Sequence, residues 1–438
     1  MKKTIFVLLA VFSTFKTFAQ TEPANYTTAI NRFKQFYNSD QPDSIYKTFG
    51  SEMTSALSQD QFKTTTKQLK GQLGNLQQTT FTSYAQSVAV YKATFQNGAL
   101  GLSISLNKEN KITGLLLRPL PSETPAATTA APAAASTGIN DPSLVESPIV
   151  LKTLSGSIHG TLTMPKSALG KIPVVLIIAG SGPTDRNGNS SKMDLNTNAY
   201  KLLAEGLGKK GIASVRYDKR MIGESETSNK EADLRFDDYV DDAVGIINKL
   251  SEDERFSKII IMGHSEGSLV GMLAARDQPV KGYISLEGAG DQADKIVTQQ
   301  MKSKPQFVQD DFKALLDSMK KGKTIDNVDP ALWSIARPSI QRYLMSWFRY
   351  NPARIIKVLK MPVLIIQGTT DLQVTTADAD KLKKAKSDAT LIIIPGMNHI
   401  LKEAPADRDQ NLATYNKPEL PLKAELMPDL VKFINGLN

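Results

Sequence analysis

The amino-acid sequence predicts an α/β protein built on a doubly wound, mostly parallel sheet, with a small α+β domain in front of it. Three observations support this prediction. In the second part of the chain, apolar runs of strand length alternate with amphipathic segments of helix length. In the first part, helical periodicity precedes two-residue alternation. A segment rich in Pro, Ala and Thr, residues 119–143, separates the two parts and predicts an extended linker.

The N-terminal 19 residues follow the plan of a secretory signal peptide. Lys2 and Lys3 begin the segment, residues 4–15 are mostly apolar, and Thr17 and Ala19 supply small side chains at the cleavage positions. This pattern predicts a periplasmic or secreted bacterial protein. An uncleaved membrane anchor is the alternative, but the apolar run is short for one, and no later run is long enough to span a membrane.

Residues 22–118 have helical signals followed by strand signals. Four side chains recur at helical spacing: Tyr26, Ile30, Phe33 and Tyr37. A second helical segment follows Pro42, and residues 58–61 have the Ser-x-x-Gln form of a capping box. Alternation begins near residue 80, and Asn97-Gly98 predicts a hairpin turn. This domain contains no His, and we expect no catalytic constellation in it.

Residues 144–438 alternate between strand and helix patterns. The expected strands are 149–154, 158–164, 174–179, 213–217, 259–262, 283–286, 363–367 and 390–394. The runs that begin at Val174, Ile259 and Leu391 are apolar throughout, as in strands that helices cover on both faces. The expected helices are 198–209, 236–250, 267–276, 378–386 and 428–437. Together they predict the doubly wound sheet.

Composition removes several classes of function. The chain of 438 residues has no Cys and three His, which excludes thiolate catalysis and Cys-ligated zinc and argues against a multi-His metal site. The net charge of +9 is spread out, and the dense basic patches at 320–323 and 381–386 read as solvated surface. We therefore expect no metal, no cofactor and no nucleic-acid partner.

A tight turn between a strand and a helix carries the strongest chemical signal. The pentapeptide Gly263-His264-Ser265-Glu266-Gly267 follows one apolar strand and opens a helix. The glycines suit a turn too tight for side chains, and the helix N-terminus favours developing negative charge. The pattern predicts that Ser265 is a nucleophile. A structural βα turn is the alternative.

A serine nucleophile needs a base and an acid to orient that base. His264 lies inside the turn and His159 in an early strand, so elimination leaves His399, which follows the last expected strand. Asp371 follows the penultimate strand and is the predicted acid. Glu287 and Asp291, which follow the preceding strand, are rivals.

The oxyanion of an acyl-transfer intermediate needs two backbone N–H donors. The first is expected from Glu266, directly after the nucleophile. The second is expected from the small-residue loop after the strand 174–179, with Ser181 preferred and Gly182 a near rival. The loop does not fit a dinucleotide-binding motif, because Asp185 stands where that motif has its third glycine.

These motifs resemble an α/β-hydrolase of the serine esterase and S33-aminopeptidase-like group. The resemblance rests on the turn around Ser265, on Gly368-x-x-Asp371-x-x-Val374 and on residues 395–399. Residues 179–188 are similar to a loop of bacterial secreted esterases, with Ala179 where that group often has His. Residues 217–225 are similar to the group's Asp-x-Arg-Gly-x-Gly-x-Ser turn, with Met221 in place of the first glycine. The first domain resembles the DUF3887 type of NTF2-like domain.

A segment without a strand pattern, near residues 288–361, predicts a helical lid over Ser265. Four of its aromatic residues are candidates for a substrate pocket, with packing of the lid onto the sheet as the equal alternative: Trp333, Tyr343, Trp347 and Phe348.

The sequence thus predicts a serine hydrolase that cleaves small carboxylic esters through an acyl-enzyme. A peptidase or a thioesterase on the same three residues is one alternative. A protein that binds a cell-envelope ligand on a hydrolase scaffold without catalysis is another, disfavoured by the intact set of Ser, Asp and His. The sequence indicates no particular oligomeric state.

Overall fold

A computed structural model describes residues 21–85, 87–119, 138–193, 195–302 and 304–438. The predicted signal peptide and most of the predicted linker lie outside these ranges. The described residues divide into two compact units, one up to residue 119 and one from residue 138. The domain boundaries drawn from the sequence stay predictions, and each unit is described by itself.

In the first unit, the helices come before the strands. The helices are α1 (Ala24–Asn38), α2 (Pro42–Tyr46), α3 (Ser51–Ala56) and α4 (Gln59–Leu73). The strands are β1 (Leu76–Ala85), β2 (Val88–Phe95), β3 (Gly98–Leu106) and β4 (Ile112–Pro119). Each strand pairs antiparallel with the next, in the order β1-β2-β3-β4. The predicted hairpin at Asn97-Gly98 joins β2 to β3, where Phe95 pairs with Gly98.

The four residues at helical spacing on α1 face the sheet and are buried in one apolar cluster with side chains of β2 and β3. The segment after Pro42, which the sequence presents as one helical stretch, folds as the two short helices α2 and α3. The first unit is therefore a small α+β domain with a hydrophobic core of its own.

In the second unit, the described residues form one sheet that is parallel except at one side. Its strands are β5 (Leu144–Thr153), β6 (Gly156–Pro165), β7 (Ile172–Ile178), β8 (Ala213–Tyr217), β9 (Glu226–Thr227), β10 (Phe256–His264), β11 (Val280–Leu286), β12 (Val363–Gly368) and β13 (Thr390–Ile394). The order is β13-β12-β11-β10-β7-β8-β6-β5, with β9 paired to β6. β6 pairs antiparallel with β5, β8 and β9, whereas the pairs along the main path from β13 to β8 are parallel.

Helices lie on both faces of this sheet, which explains the uninterrupted apolar runs of β7 and β10. The run from Leu391 departs from the expectation, because β13 is an edge strand and leaves Ile393 exposed. The helices are α5 (Ala199–Gly208), α6 (Phe236–Ser251), α7 (Glu266–Ala275), α8 (Ala293–Met301), α9 (Gln306–Lys320), α10 (Trp333–Ala336), α11 (Pro338–Trp347), α12 (Pro352–Lys357), α13 (Thr376–Ala385), α14 (Arg408–Leu412) and α15 (Leu426–Asn435). On β7, Val174 and Leu176 join the core on one face, whereas Val175 and Ile177 join the core on the other. The predicted fold class is confirmed.

The insertion between β11 and β12 is helical in its described residues, as predicted. It comprises α8 to α12 and has its own apolar cluster, which includes Phe312 and Leu344. Among the described residues of the whole chain, we find no helix that is both long and apolar enough to cross a membrane.

β7 is the switch point of the sheet, because β8 lies on one side of it and β10 on the other. In open α/β sheets, ligands bind outside the carboxyl ends of the strands at such a point. The loop 180–186 leaves β7 there, and Ser265 leaves β10 beside it.

Candidate active site

Ser265 sits in a strained turn between β10 and α7. Its φ of 55° and ψ of −121° form a conformation that residues other than glycine rarely adopt. A Cβ atom on Gly263 would lie 2.2 Å from the carbonyl oxygen of Gly267. A Cβ atom on Gly267 would lie 2.3 Å from the carbonyl oxygen of Ile178 on β7. Both glycines are therefore steric requirements, and the turn leaves Ser265 less buried than the residues on either side of it.

His399 and Asp371 meet at the carboxyl ends of β13 and β12. The Nδ1 atom of His399 lies 2.7 Å from Oδ2 of Asp371. The other carboxylate oxygen, Oδ1, accepts the N–H groups of Gln373 at 2.7 Å and Val374 at 3.0 Å. Burial alone would raise the pKa of Asp371, but the charge and hydrogen bond of His399 and the other donors lower it to about 2. Asp371 is thus an anion fixed against one edge of the imidazole.

The two rival carboxyl groups lie elsewhere. Glu287 is fully buried after β11, accepts the N–H of Gly368 at 2.9 Å and forms a hydrogen bond with Asp371. Burial, followed by the charge of Asp371, raises the pKa of Glu287 well above its usual value. Both causes favour the protonated form of Glu287 beside Asp371. Asp291 pairs with Lys381 at 2.5 Å as a half-buried surface carboxylate.

The other two histidines make structural contacts, and one of them, His264, contacts the backbone of His399. His159 on β6 lies 3.0 Å through Nε2 from Oγ of Ser157. His264 is buried, with Nε2 at 2.7 Å from the carbonyl oxygen of His399 and Nδ1 at 2.8 Å from the hydroxyl of Tyr200. Burial and the neighbouring His399 lower the pKa of His264 to about 3, so it is a neutral ring. Its Nε2–H therefore donates to His399, and its Nδ1 accepts from Tyr200.

The loop after β7 packs directly against the nucleophile. A Cβ atom on Gly180 would lie 3.2 Å from Cβ of Ser265. The N–H of Gly180 donates to the Tyr200 hydroxyl at 2.9 Å, and its carbonyl accepts from Nζ of Lys219 at 3.0 Å. Ser181 and Gly182, the expected donors, follow in an exposed stretch, with Gly182 at φ 83°.

Lys219 is a site residue that sequence reasoning missed. Its Nζ also lies 2.9 Å from Oε1 of Glu266, so one ammonium joins the loop after β7 to the residue after the nucleophile. Its position in the sequence could have indicated Lys219, because it follows the expected strand 213–217, which forms β8 beside β7 in the sheet. No comparable feature of the sequence indicates that Tyr200, on α5, belongs to the site.

The predicted pocket residues all lie in the helical insertion but differ in environment. Trp333, on α10, is 46% exposed. Trp347, on α11, stacks on Phe236 of α6 with ring centroids 5.8 Å apart, and Tyr343 lies 6.2 Å from the same ring. Phe348 packs against the insertion's own cluster. These contacts attach α11 to α6. A role in binding substrate stays a prediction.

The fold and the strained serine turn define the class: the second unit is an α/β-hydrolase. More particularly, residues 195–404 match the family of serine aminopeptidases, S33, and residues 31–115 match DUF3887, a protein family of unknown function. Both matches confirm the resemblance drawn from the motifs. The second unit therefore has an α/β-hydrolase fold and is similar to the S33 serine aminopeptidase family, and the first unit is similar to DUF3887.

Individual relatives are distant. Over 382 residues, the chain is 23% identical to esterase EstD of Thermotoga maritima, and the match covers 84% of this chain and 86% of that protein. The solved structure of Est1E from Butyrivibrio proteoclasticus is 19% identical with a TM-score of 0.44, covering 66% of this chain and 98% of that one. The hypothetical protein PA2218 from Pseudomonas aeruginosa is 13% identical with a TM-score of 0.49, covering 71% and 99%.

Proposed function

We propose that this protein hydrolyses carboxylic esters through an acyl-enzyme on Ser265, with His399 as the general base and Asp371 as its orienting acid. The observation that carries the proposal is the 2.7 Å contact between His399 and Asp371, at the sheet edge where the strained turn presents Ser265. The three groups come in the chain order serine, acid, histidine that this architecture uses.

The contact between His399 and Asp371 supports one direction of proton transfer. Because Asp371 occupies Nδ1 of His399, Nε2 is the nitrogen left to face Ser265. Ser265 Oγ attacks the ester carbonyl while Nε2 takes its proton. The imidazolium, stabilised by the Asp371 anion, then gives that proton to the departing alkoxide. Water attacks the acyl-enzyme in the reverse sense, with Nε2 as base, and releases the carboxylic acid and free Ser265.

The oxyanion of each tetrahedral intermediate is assigned to backbone amides. Glu266 is the first residue of α7, so its N–H has no acceptor within the helix. Ser181 supplies the second donor, with Gly182 as the neighbouring candidate. The N-terminus of α7 adds a favourable dipole at the same place.

We propose esters rather than other acyl compounds as substrates because the relative EstD is an esterase. A peptidase is the second candidate, because the matching family is described by its serine aminopeptidases. The same machinery would also serve a thioesterase. We further propose that the mature protein is periplasmic or secreted, on the strength of the basic and apolar pattern of its first 19 residues.

A substrate panel on the mature protein tests the proposal. It comprises p-nitrophenyl acetate, butyrate and octanoate, aminoacyl p-nitroanilides and an acyl thioester. We expect the esters to be the fastest substrates, and we expect Ser265→Ala to lower kcat by about a thousandfold or more. Ser181→Ala is the matched control. It keeps the backbone donor, so it should stay within a few-fold of the wild type.

Two results would contradict the proposal. Faster turnover of the amides or the thioester would move the assignment to the corresponding alternative. A folded protein that is inert on the whole panel would favour the interpretation as a non-catalytic binding protein. A Ser265→Ala variant as active as the wild type would show that Ser265 is not the nucleophile.

A further inference from the structure

We propose that Lys219 is a positioning residue of the oxyanion hole, because its buried ammonium group fixes both elements that supply the backbone donors. The inference rests on the proposed function. It adds a residue that never touches the substrate but sets the direction of an amide that does.

The contacts of Lys219 converge on the two donor segments. Its Nζ donates to the Gly180 carbonyl at 3.0 Å and to Oε1 of Glu266 at 2.9 Å. It also lies 4.3 Å from the ring centroid of Tyr239, on α6. The Lys219 and Glu266 side chains are 6% and 2% exposed, so water does not compete for these contacts. One charged group thus holds the loop after β7 and the start of α7.

Planarity of the peptide turns the contact with a carbonyl into control of a donor. The Gly180 carbonyl and the Ser181 N–H belong to one trans peptide, so they point in opposite directions. Fixing the carbonyl toward Lys219 therefore fixes the Ser181 N–H away from it. The N–H of Gly180 is held independently by the Tyr200 hydroxyl at 2.9 Å. Both polar groups of Gly180 are thus bound to buried side chains.

The surroundings of Lys219 favour its protonated form. Burial alone would lower the pKa of Lys219, but the Glu266 carboxylate and Tyr239 raise it above its ordinary value. A buried ion pair is weak evidence for stability, because desolvation offsets most of its attraction. Beside the nucleophile, the pair can serve catalysis instead, because it holds the backbone donors in place. Donors that are already oriented lower the barrier, since they do not have to reorient as negative charge develops.

The test compares two buried ion pairs whose basic residues, Lys219 and Arg220, both follow β8. Lys219→Met/Glu266→Gln removes the pair at the donors. The control, Arg220→Met/Asp242→Asn, removes the neighbouring pair, in which Arg220 Nη2 lies 2.7 Å from Oδ1 of Asp242 with side chains 8% and 1% exposed. Each double variant removes both charges, so neither leaves one buried alone. Steady-state kinetics on p-nitrophenyl butyrate and binding of a trifluoromethyl ketone, whose serine adduct carries an oxyanion, are measured for both.

We expect the Lys219 double variant to lose about a hundredfold or more in kcat, with KM within about threefold. Its affinity for the trifluoromethyl ketone should fall in parallel. The control should keep kcat within about threefold even where its melting temperature drops. Equal kcat losses in both doubles, or a raised KM at unchanged kcat, would overturn the proposal and leave Lys219 a structural residue.

Two further arms keep the test decisive. If the Lys219 double variant does not fold, Lys219→Gln replaces it, since the amide leaves Glu266 a donor. A loss in kcat of about tenfold at unchanged KM is then expected, and unchanged kcat overturns the proposal. Wild type and Ser265→Ala run alongside. Inert wild type or active Ser265→Ala defeats the proposed function and the inference with it, whereas normal behaviour of both isolates a failure of the inference alone.

Discussion

At the residue scale, the surroundings shift the pKa values of two neighbouring carboxyl groups in opposite directions. Asp371 is surrounded by donors and His399, whereas Glu287 is buried with the negative charge of Asp371 beside it. A charged acid orients the imidazole, and a neutral acid next to it avoids repulsion between two anions. The sequence placed both residues at one sheet edge but left them as rivals for one role, because protonation depends on contacts it does not display.

The protonation of Glu287 predicts a pH-dependent effect of Glu287→Gln. The folded protein keeps a proton on Glu287 that the unfolded chain releases above about pH 4.3. Wild-type stability from this group is therefore complete below that pH and falls as pH rises toward the folded-state pKa. Gln does not titrate, so the variant should gain on the wild type by up to about 1.4 kcal/mol per pH unit over that range.

Urea unfolding of both proteins from pH 5 to pH 9 measures this difference. Stability curves of Glu287→Gln and the wild type that run parallel across the range would show that Glu287 is not the proton-binding group.

At the element scale, the sequence predicts the central strands because helices cover both of their faces, which makes the strands apolar throughout. It predicts the helices because their apolar residues recur at helical spacing. The apolar runs of β7 and β10 are buried on both faces, and each is long enough to be identified from the sequence alone. The run of β13 is equally apolar, although β13 forms an edge of the sheet and leaves Ile393 exposed. β9, of two residues, Glu226–Thr227, has no such signal, and pairing with β6 defines it. The links from Lys219 to Gly180 and Glu266 span 39 and 47 residues, so no local pattern in the sequence indicates them.

The attachment of α11 to α6 predicts the effect of changing Trp347. Its indole lies parallel to the Phe236 ring at an angle of 2°, so Trp347→Ala removes the stack and leaves a cavity. The free energy of unfolding should fall by about 3 kcal/mol. Trp347→Phe keeps an aromatic ring on Phe236 and should cost less than about 1.5 kcal/mol. Chemical denaturation followed by circular dichroism measures both, and equal losses would mean that the stack does not hold the insertion.

At the scale of the whole molecule, each unit has its own hydrophobic core. The first is built around α1 and the antiparallel sheet, and the second around the two faces of the mostly parallel sheet. The site residues described above all belong to the second unit. The last part of the predicted linker 119–143 also contacts that unit, since the N–H of Ile139 donates to Glu146 of β5 at 2.8 Å.

This division predicts that residues 138–438 alone keep turnover of small esters. The shortened chain retains the contact of Ile139 and all proposed catalytic groups. Its kcat/KM on p-nitrophenyl butyrate should lie within a few-fold of the full mature chain. Circular dichroism first establishes that it folds. A folded but inert shortened chain would show that turnover requires the first unit.

The central claim is that Ser265 is the nucleophile, and covalent labelling tests it most directly. A fluorophosphonate transfers its phosphonyl group to an activated serine Oγ and releases fluoride. Intact mass and peptide mapping of the labelled native protein should place one adduct per chain on the peptide that contains Ser265, and Ser265→Ala should carry none. An adduct on another residue, one that persists in Ser265→Ala, or no adduct on a folded chain that hydrolyses esters would contradict the account.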